Sequence, residues 1–288
     1  MNRVTMKKLR ILLLITLSLS VSAVQASDDK LQVLATIHPL ALLAASVVPA
    51  EQLQVLLPPT IDPHHFALKP SDIDQLQEAD IILWGGPLAE PYLTGFVRRW
   101  PEKNWIDISS FASADQPVNA HYWLSVPVMT ATQESLAEAL GSSAGDFADT
   151  MDKARQQIDA LLTPLRERGF LVYHRAYDHW VSENHLNQLG SFTINPEQKP
   201  GLKTLSTLRG LIQEGSVTCI FYEPGVSAEM IRGFTGDHPV RLLELDPMGA
   251  DISLIPDGYP YFMTELARRA ASCLSGTDTT SLHTGGKG

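Results

Sequence analysis

Short apolar runs of strand length alternate with amphipathic helical segments along this chain, and the alternation stops and then starts again. Residues 31–37, 53–57, 80–84 and 105–108 read as strands by their length and apolar density. Helical segments lie between them at 40–48, 71–78 and 88–100; Ser71 and Asp72, following Pro70, give the second of these its N-capping chemistry. A second set has strands at 170–173, 191–194, 217–222 and 240–245, with helices starting near Ala176, Leu202, Ala228 and Tyr259. A strand followed by a helix must cross back before the next strand can lie beside it, so this order favours parallel pairing. The expected fold is α/β: two lobes, each a mostly parallel four-stranded sheet flanked by helices.

Between the two sets runs a long helical stretch, residues 132–168. Phe147, Met151, Ala154, Ile158 and Leu161 with Leu162 form one apolar stripe at helical spacing. Some 25 helical residues would reach about 37 Å, so a single strut can join the lobes. Residues 141–145 loosen its start and Pro164 bends its end. The expected organisation is a first lobe over 27–130, one long linker helix over 131–168 and a second lobe over 169–275. The Thr/Ser/Gly-rich residues 276–288 have the composition of a disordered tail.

The first 26 residues carry a different message. Lys7, Lys8 and Arg10 precede an apolar run, residues 11–24, which ends at Gln25, Ala26 and Ser27. A basic start, a short apolar core and small residues before a polar segment make a secretory signal, with cleavage expected between Ala26 and Ser27. The run is short for a membrane span, no Cys near the cleavage point offers a lipid anchor, and no later stretch is apolar enough to cross a bilayer. The chain is therefore expected in the periplasm, not membrane-anchored. Formal net charge is −10, from 22 basic and 32 acidic residues; four of the basic ones fall in the signal, which leaves −14 without it. Such an acidic balance argues against nucleic acid as a partner and suits cations.

Export also decides how Cys219 and Cys273 are read. In an oxidising compartment a single pair of cysteines favours a disulfide over a metal site or two free thiols. Such a bridge would staple the last helix to a strand of the second sheet.

Nine histidines are present, and position in the fold separates them. His174 directly follows the strand 170–173, and His64 lies in the loop after 53–57. Glu223 and Asp246 directly follow the strands 217–222 and 240–245. Ligands of open parallel sheets bind beyond the carboxyl ends of the strands, so these four side chains point to one place. His121, in the loop ahead of the long helical stretch, can join them from the first lobe.

At these residues the chain resembles the zinc-uptake substrate-binding proteins of bacterial ABC transporters, the ZnuA-like group. The segment LLPPTIDPHHFALKPSDIDQLQEADIILWGGP is similar to that family's first-ligand region, and NAHYWLS, GFLVYHRAYDHW and LDPMGADI to its later metal-site segments in the same order. SFTINPEQKPG, TCIFYEPGVS and the paired cysteines also resemble it. The resemblance runs from about Leu31 to Ser275 and implies a protein that captures Zn2+ in a cleft between lobes and delivers it, as a monomer, to a membrane permease, with no enzymatic activity. It implies His64, His121 and His174 as metal ligands and Asp246 as the fourth. By their own places at strand ends, Glu223 is expected behind the metal, orienting a ligand His, and His38 behind the ligands along the cleft. The family's manganese-type members carry a carboxylate at the third position; three imidazoles suit zinc better.

The chain also departs from the family's pattern. Residues 109–120 are short and lack the His- and acid-rich loop of many zinc members. Pro63 stands where some relatives have an acidic residue, and Arg175 where Asp is common; a cation there weakens zinc binding unless it points away to pair with Asp178 or Glu223. His65 is expected to point away from the site, His179 and His185 to be exposed on the helix after His174, and His238 to sit in a turn. A periplasmic zinc metallochaperone and a manganese-type solute-binding protein of the same fold remain alternatives. A zinc hydrolase, which needs an open coordination position and a general base, is the least favoured.

Overall fold

The computed structural model describes residues 30–61, 63–194 and 199–276. The export signal expected at 1–26 lies outside these residues, as does the tail from 277 onward. No helix among the described residues is long and apolar enough to cross a membrane.

Two four-stranded, all-parallel sheets form. The first contains β1 (Val33–Ala35), β2 (Leu53–Val55), β3 (Ile81–Trp84) and β4 (Asn104–Asp107) in the order β2-β1-β3-β4. The second contains β5 (Phe170–His174), β6 (Gln188–Thr193), β7 (Cys219–Tyr222) and β8 (Arg241–Glu244) in the order β6-β5-β7-β8. Both halves thus share one topology, with the apolar central strands β1, β3 and β5 buried throughout and the edges β2 and β8 partly exposed. Each expected strand is present, shifted by a few residues at its ends.

The helices are α1 (His38–Ala44), α2 (Pro70–Glu78), α3 (Thr94–Arg99), α4 (Val126–Ala139), α5 (Phe147–Leu162), α6 (Asp178–Glu183), α7 (Leu202–Gln213), α8 (Ala228–Thr235) and α9 (Gly258–Ser275). The stretch expected as one continuous helix over 132–168 is two. α4 begins earlier, where the Ser125 hydroxyl accepts from Val128 N–H, and packs on β4, α1 and the 3-10 segments Ile108–Phe111 and Tyr122–Leu124 of the first lobe. The break follows at Gly141 and Gly145, both in the left-handed region (φ +63° and +61°) that ends helices. α5 has 16 residues, about 24 Å of helix, and buries Phe147, Met151, Ala154, Ile158 and Leu162, the stripe read from sequence.

α5 lies against α9, and α9 also packs on α1 of the first lobe and on β7 and β8 of the second, so the C-terminal helix bridges the lobes. One continuous core results, running from Leu34, Leu42 and Trp123 through Met151 and Ile158 to Phe170, Phe221 and Met263. A smaller core, with Leu171, Phe192, Leu208 and Ile231, fills the outer face of the second sheet. Buried polar bonds cross the same junction. Trp123 Nε1 donates to Pro247 O (2.9 Å), Tyr259 OH to Trp123 O (2.9 Å), and Ser125 Oγ and Val126 N to Glu183 at the end of α6. Two lobes sharing a core and these bonds cannot rotate about a hinge without exposing apolar surface.

The Cys219–Cys273 disulfide ties β7 to α9. Arg241 of β8 adds a second tie, donating to the carbonyls of Cys273 (2.5 Å) and Leu274 (3.2 Å) at the helix end. The bridge closes a loop with a sequence separation of 54. Removing it in a Cys219→Ala/Cys273→Ala variant should cost about 4 kcal/mol on loop-entropy grounds. Urea denaturation measures this, and a variant as stable as the native protein would contradict it.

Candidate metal centre

Strand alternation aims the last side chain of β5 and the first one after β7. In β5, Phe170 and Val172 face the shared core while Leu171 and Tyr173 face the outer one. His174, next in the period of two, therefore faces the first lobe. In β7, Cys219 and Phe221 face the shared core and Ile220 the outer, so Glu223 follows on the same inner side.

His64 sits in the 3-10 turn Pro63–His65, in the loop after β2. Its Nδ1 is 3.2 Å from Ala89 O, and a carbonyl only accepts, so Nδ1 carries the proton and Nε2 offers a lone pair. Ala89 is fixed by its neighbour Glu90, which is fully buried and accepts from Thr36 Oγ1 (2.6 Å), Gly85 N (2.6 Å) and Tyr92 OH (2.7 Å). Burial raises the Glu90 pKa above the usual carboxylate value, and those hydrogen bonds oppose the shift. Gly86 (φ +89°) lets this loop leave β3; a Cβ there would lie 2.5 Å from Ser109 Oγ.

His121 precedes the 3-10 turn Tyr122–Leu124. Its Nδ1 and its backbone N–H both donate to Asn119 Oδ1, at 2.6 and 2.9 Å. His121 thus also presents Nε2, which lies 3.2 Å from His64 Nε2. Two acceptor nitrogens facing each other repel unless a cation lies between them. A tetrahedral zinc with Zn–N near 2.05 Å would hold two such nitrogens about 3.3 Å apart, so the spacing fits. Ligand atoms of His64, His121 and His174 all lie within 4.8 Å of one another. Ring centroids are 4.8 Å apart for His121 and His174, and 6.1 Å for His64 and His174. Burial, followed by the nearby rings of His174, His64 and His179, holds the His121 pKa well below the ordinary imidazole value. It therefore stays neutral, the form that binds metal.

The three rings line a cavity of about 610 Å³ whose walls include Ile61, Trp123, Val226 and Met248, and Glu223 and Asp246 line it too. Asp246 is not in the cluster of three. Its carboxylate accepts from Met248 N (2.8 Å) and Ala250 N (2.7 Å), shaping the loop that follows β8. Glu223 Oε1 is 4.0 Å from His174 Nδ1, and neither of its carboxylate oxygens has a well-aligned hydrogen-bond partner. Burial pushes its carboxyl pKa up to about 8; backbone amides oppose the shift and the Asp246 charge adds to it.

Other expected positions differ. His38 does not line the cavity: its Nε2 donates across the lobes to Ile252 O (3.0 Å), in the loop after Asp246. His179, expected exposed, is buried; it donates through Nε2 to Asn119 O (3.0 Å) and stacks on Tyr122 (ring centroids 4.6 Å). Arg175 turns away from the site and pairs with Asp178 at 2.7 Å. Asn119, Glu90 and Trp123, which hold the site in place, have no role in the sequence reading. An Asn two residues ahead of a loop His, within reach of its ring, is the signal that could have found the first.

A family model described as zinc-uptake complex component A, periplasmic, matches residues 33–273. The chain is 29% identical to the high-affinity zinc uptake system protein ZnuA of Yersinia pestis, over 84% of this chain and 91% of that one. It is 27% identical to the protein of the same name from Haemophilus ducreyi, over 84% and 93%. Its fold is similar to that of a zinc-bound ZnuA deletion mutant, with a TM-score of 0.70 at 21% identity over 85% of this chain and 98% of that one.

The Glu223 carboxyl generates a pH-dependent prediction. Its pKa rises from 4.5 in the unfolded chain to about 8, so between those values the folded state holds a proton that the unfolded state lacks. Its contribution to stability is present below about 4.5 and is lost as pH rises through about 8. Glu223→Gln, neutral at every pH, should gain in melting temperature on the native metal-free protein as pH rises across this window. Scanning calorimetry reads the gap; a gap independent of pH would contradict the buried, protonated carboxyl.

Proposed function

Because the chain belongs to the periplasmic zinc-uptake component A family, we propose that it captures Zn2+ between its lobes and delivers it to the permease of an ABC importer. The observation that carries this reading is the convergence of three histidines from two lobes, two of them with Nε2 lone pairs 3.2 Å apart. His64 and His121 supply two nitrogens from the first lobe, and His174 supplies the third from the second. Three imidazoles favour zinc over manganese, which prefers oxygen donors.

Asp246 supplies the fourth donor. An ionised carboxylate has about four acceptor positions, and the amides of Met248 and Ala250 occupy two, so capacity for a metal remains. A site closed by a fourth protein ligand serves binding and release, whereas a hydrolytic zinc site keeps that position for water. Glu223 stands behind His174 and favours its metal-bound orientation. The apolar cavity walls lower the local dielectric and strengthen the metal–ligand attraction. Since the lobes share a core, loading orders the ligand loops more than it turns one lobe on the other, and the permease reads that local difference. The protein acts as an exported monomer, released from its signal between Ala26 and Ser27.

Competition titration of the native protein and of His64→Ala, His121→Ala and His174→Ala variants tests the reading. Each substitution should weaken zinc by roughly 100-fold or more, beyond the loss typical of an outer partner. Affinity should also fall as pH drops through about 6.5, where imidazoles take up protons. Native-like zinc affinity in all three variants would overturn the ligand assignment, and tighter binding of Mn2+ than Zn2+ the choice of metal. A deletion strain that grows normally under zinc limitation would overturn the uptake role.

A further inference from the structure

Asn119 joins the first lobe to the segment of the second that carries His174. Its Oδ1 accepts from His121 N (2.9 Å) and His121 Nδ1 (2.6 Å). Its Nδ2 donates to Arg175 O (2.8 Å) and Asp178 Oδ2 (3.0 Å). A carboxamide has two acceptor lone pairs and two donor hydrogens, and all four are used here against groups of the opposite role. That saturation fixes which end is oxygen, and therefore that His121 donates from Nδ1. The main-chain carbonyl of Asn119 separately accepts from His179 Nε2 (3.0 Å). Asp178 is itself held by Arg175 Nε at 2.7 Å and by Gln188 Nε2 at 3.4 Å. His174 ends β5, Asp178 and His179 open α6, and Arg175 lies in the short connection between them, all facing this loop.

We propose that Asn119 is a positioning residue for metal capture. It locks His121 in the tautomer that aims Nε2 at the metal, and through Asp178 and the Arg175 carbonyl it holds that ring at a fixed distance from His174. The proposal rests on the reading of His64, His121 and His174 as ligands and adds the part that sets their separation. Aspartate at this position would keep the acceptor for His121 but lose both donors and set a second carboxylate 3.0 Å from Asp178. Exchanging the two, as Asn119→Asp with Asp178→Asn, restores one acceptor toward His121 and one donor across the lobes.

The test is zinc competition titration together with the visible spectrum of the Co2+-loaded protein, which reports ligand geometry apart from stability. Asn119→Ala should lose about 10- to 100-fold in zinc affinity and alter the Co2+ spectrum. Asn119→Asp should also weaken binding, and the exchanged double variant should recover most of the loss. If the alanine variant does not fold, the near-isosteric Asn119→Asp and the double variant carry the same comparison. Native affinity and spectrum in the single variants would overturn the proposal, as would a double variant no tighter than Asn119→Asp. Those outcomes with zinc still lost in His121→Ala would remove only the positioning role; zinc retained in His121→Ala would remove the ligand assignment itself.

Discussion

The site depends on the hydrophobic core that continues from one sheet into the other. Ligands from different lobes can converge within a few ångströms only if the lobes keep their separation, and a shared core does that without any contact at the site. α9 carries most of this role, packing on α1, α5, β7 and β8 at once. The disulfide to β7 and the Arg241 bonds at its end hold the helix where it must lie. Trp123, buried two residues after His121, extends the core to the edge of the cavity and fastens the Asp246 loop through Pro247 O.

On that frame, hydrogen bonds set the direction of each ring. Ala89 O takes the proton side of His64 and Asn119 Oδ1 that of His121, so both rings present Nε2 inward. The partners are themselves anchored, Ala89 by the buried Glu90 and Asn119 by Asp178 and the Arg175 carbonyl. These two rings are aimed before the ion arrives, so the ordering that accompanies loading falls on the loops around them.

Much of this is legible in the sequence, because it rests on local patterns. The eight strands follow from apolar runs bounded by polar segments, and their parallel order from the helices between them. His64, His121 and His174 stand out by position at the ends or in the loops beyond the strands, and the buried stripe of α5 by its spacing. What was not legible is set by contacts between distant segments. His38 reads as a residue behind the metal ligands and His179 as an exposed one until the fold brings Ile252 and Asn119 against them. Residues 141–145 read as a loosening of one helix; that they divide it into two follows from the left-handed φ of Gly141 and Gly145, which only the folded backbone reveals. Arg175 beside a ligand reads as a charge conflict in sequence, with Asp178 and Glu223 as its candidate partners; the fold selects Asp178. Asn119 is one polar residue in a short loop, and its four partners come from both lobes.

The central claim is that three neutral imidazoles and one carboxylate close around a zinc ion. X-ray absorption at the zinc edge of the loaded, full chain tests it most directly. A four-coordinate shell with three imidazole nitrogens and one oxygen near 2.0–2.1 Å is the predicted result. A six-coordinate oxygen-rich shell, or fewer than three imidazoles around the metal, would contradict it.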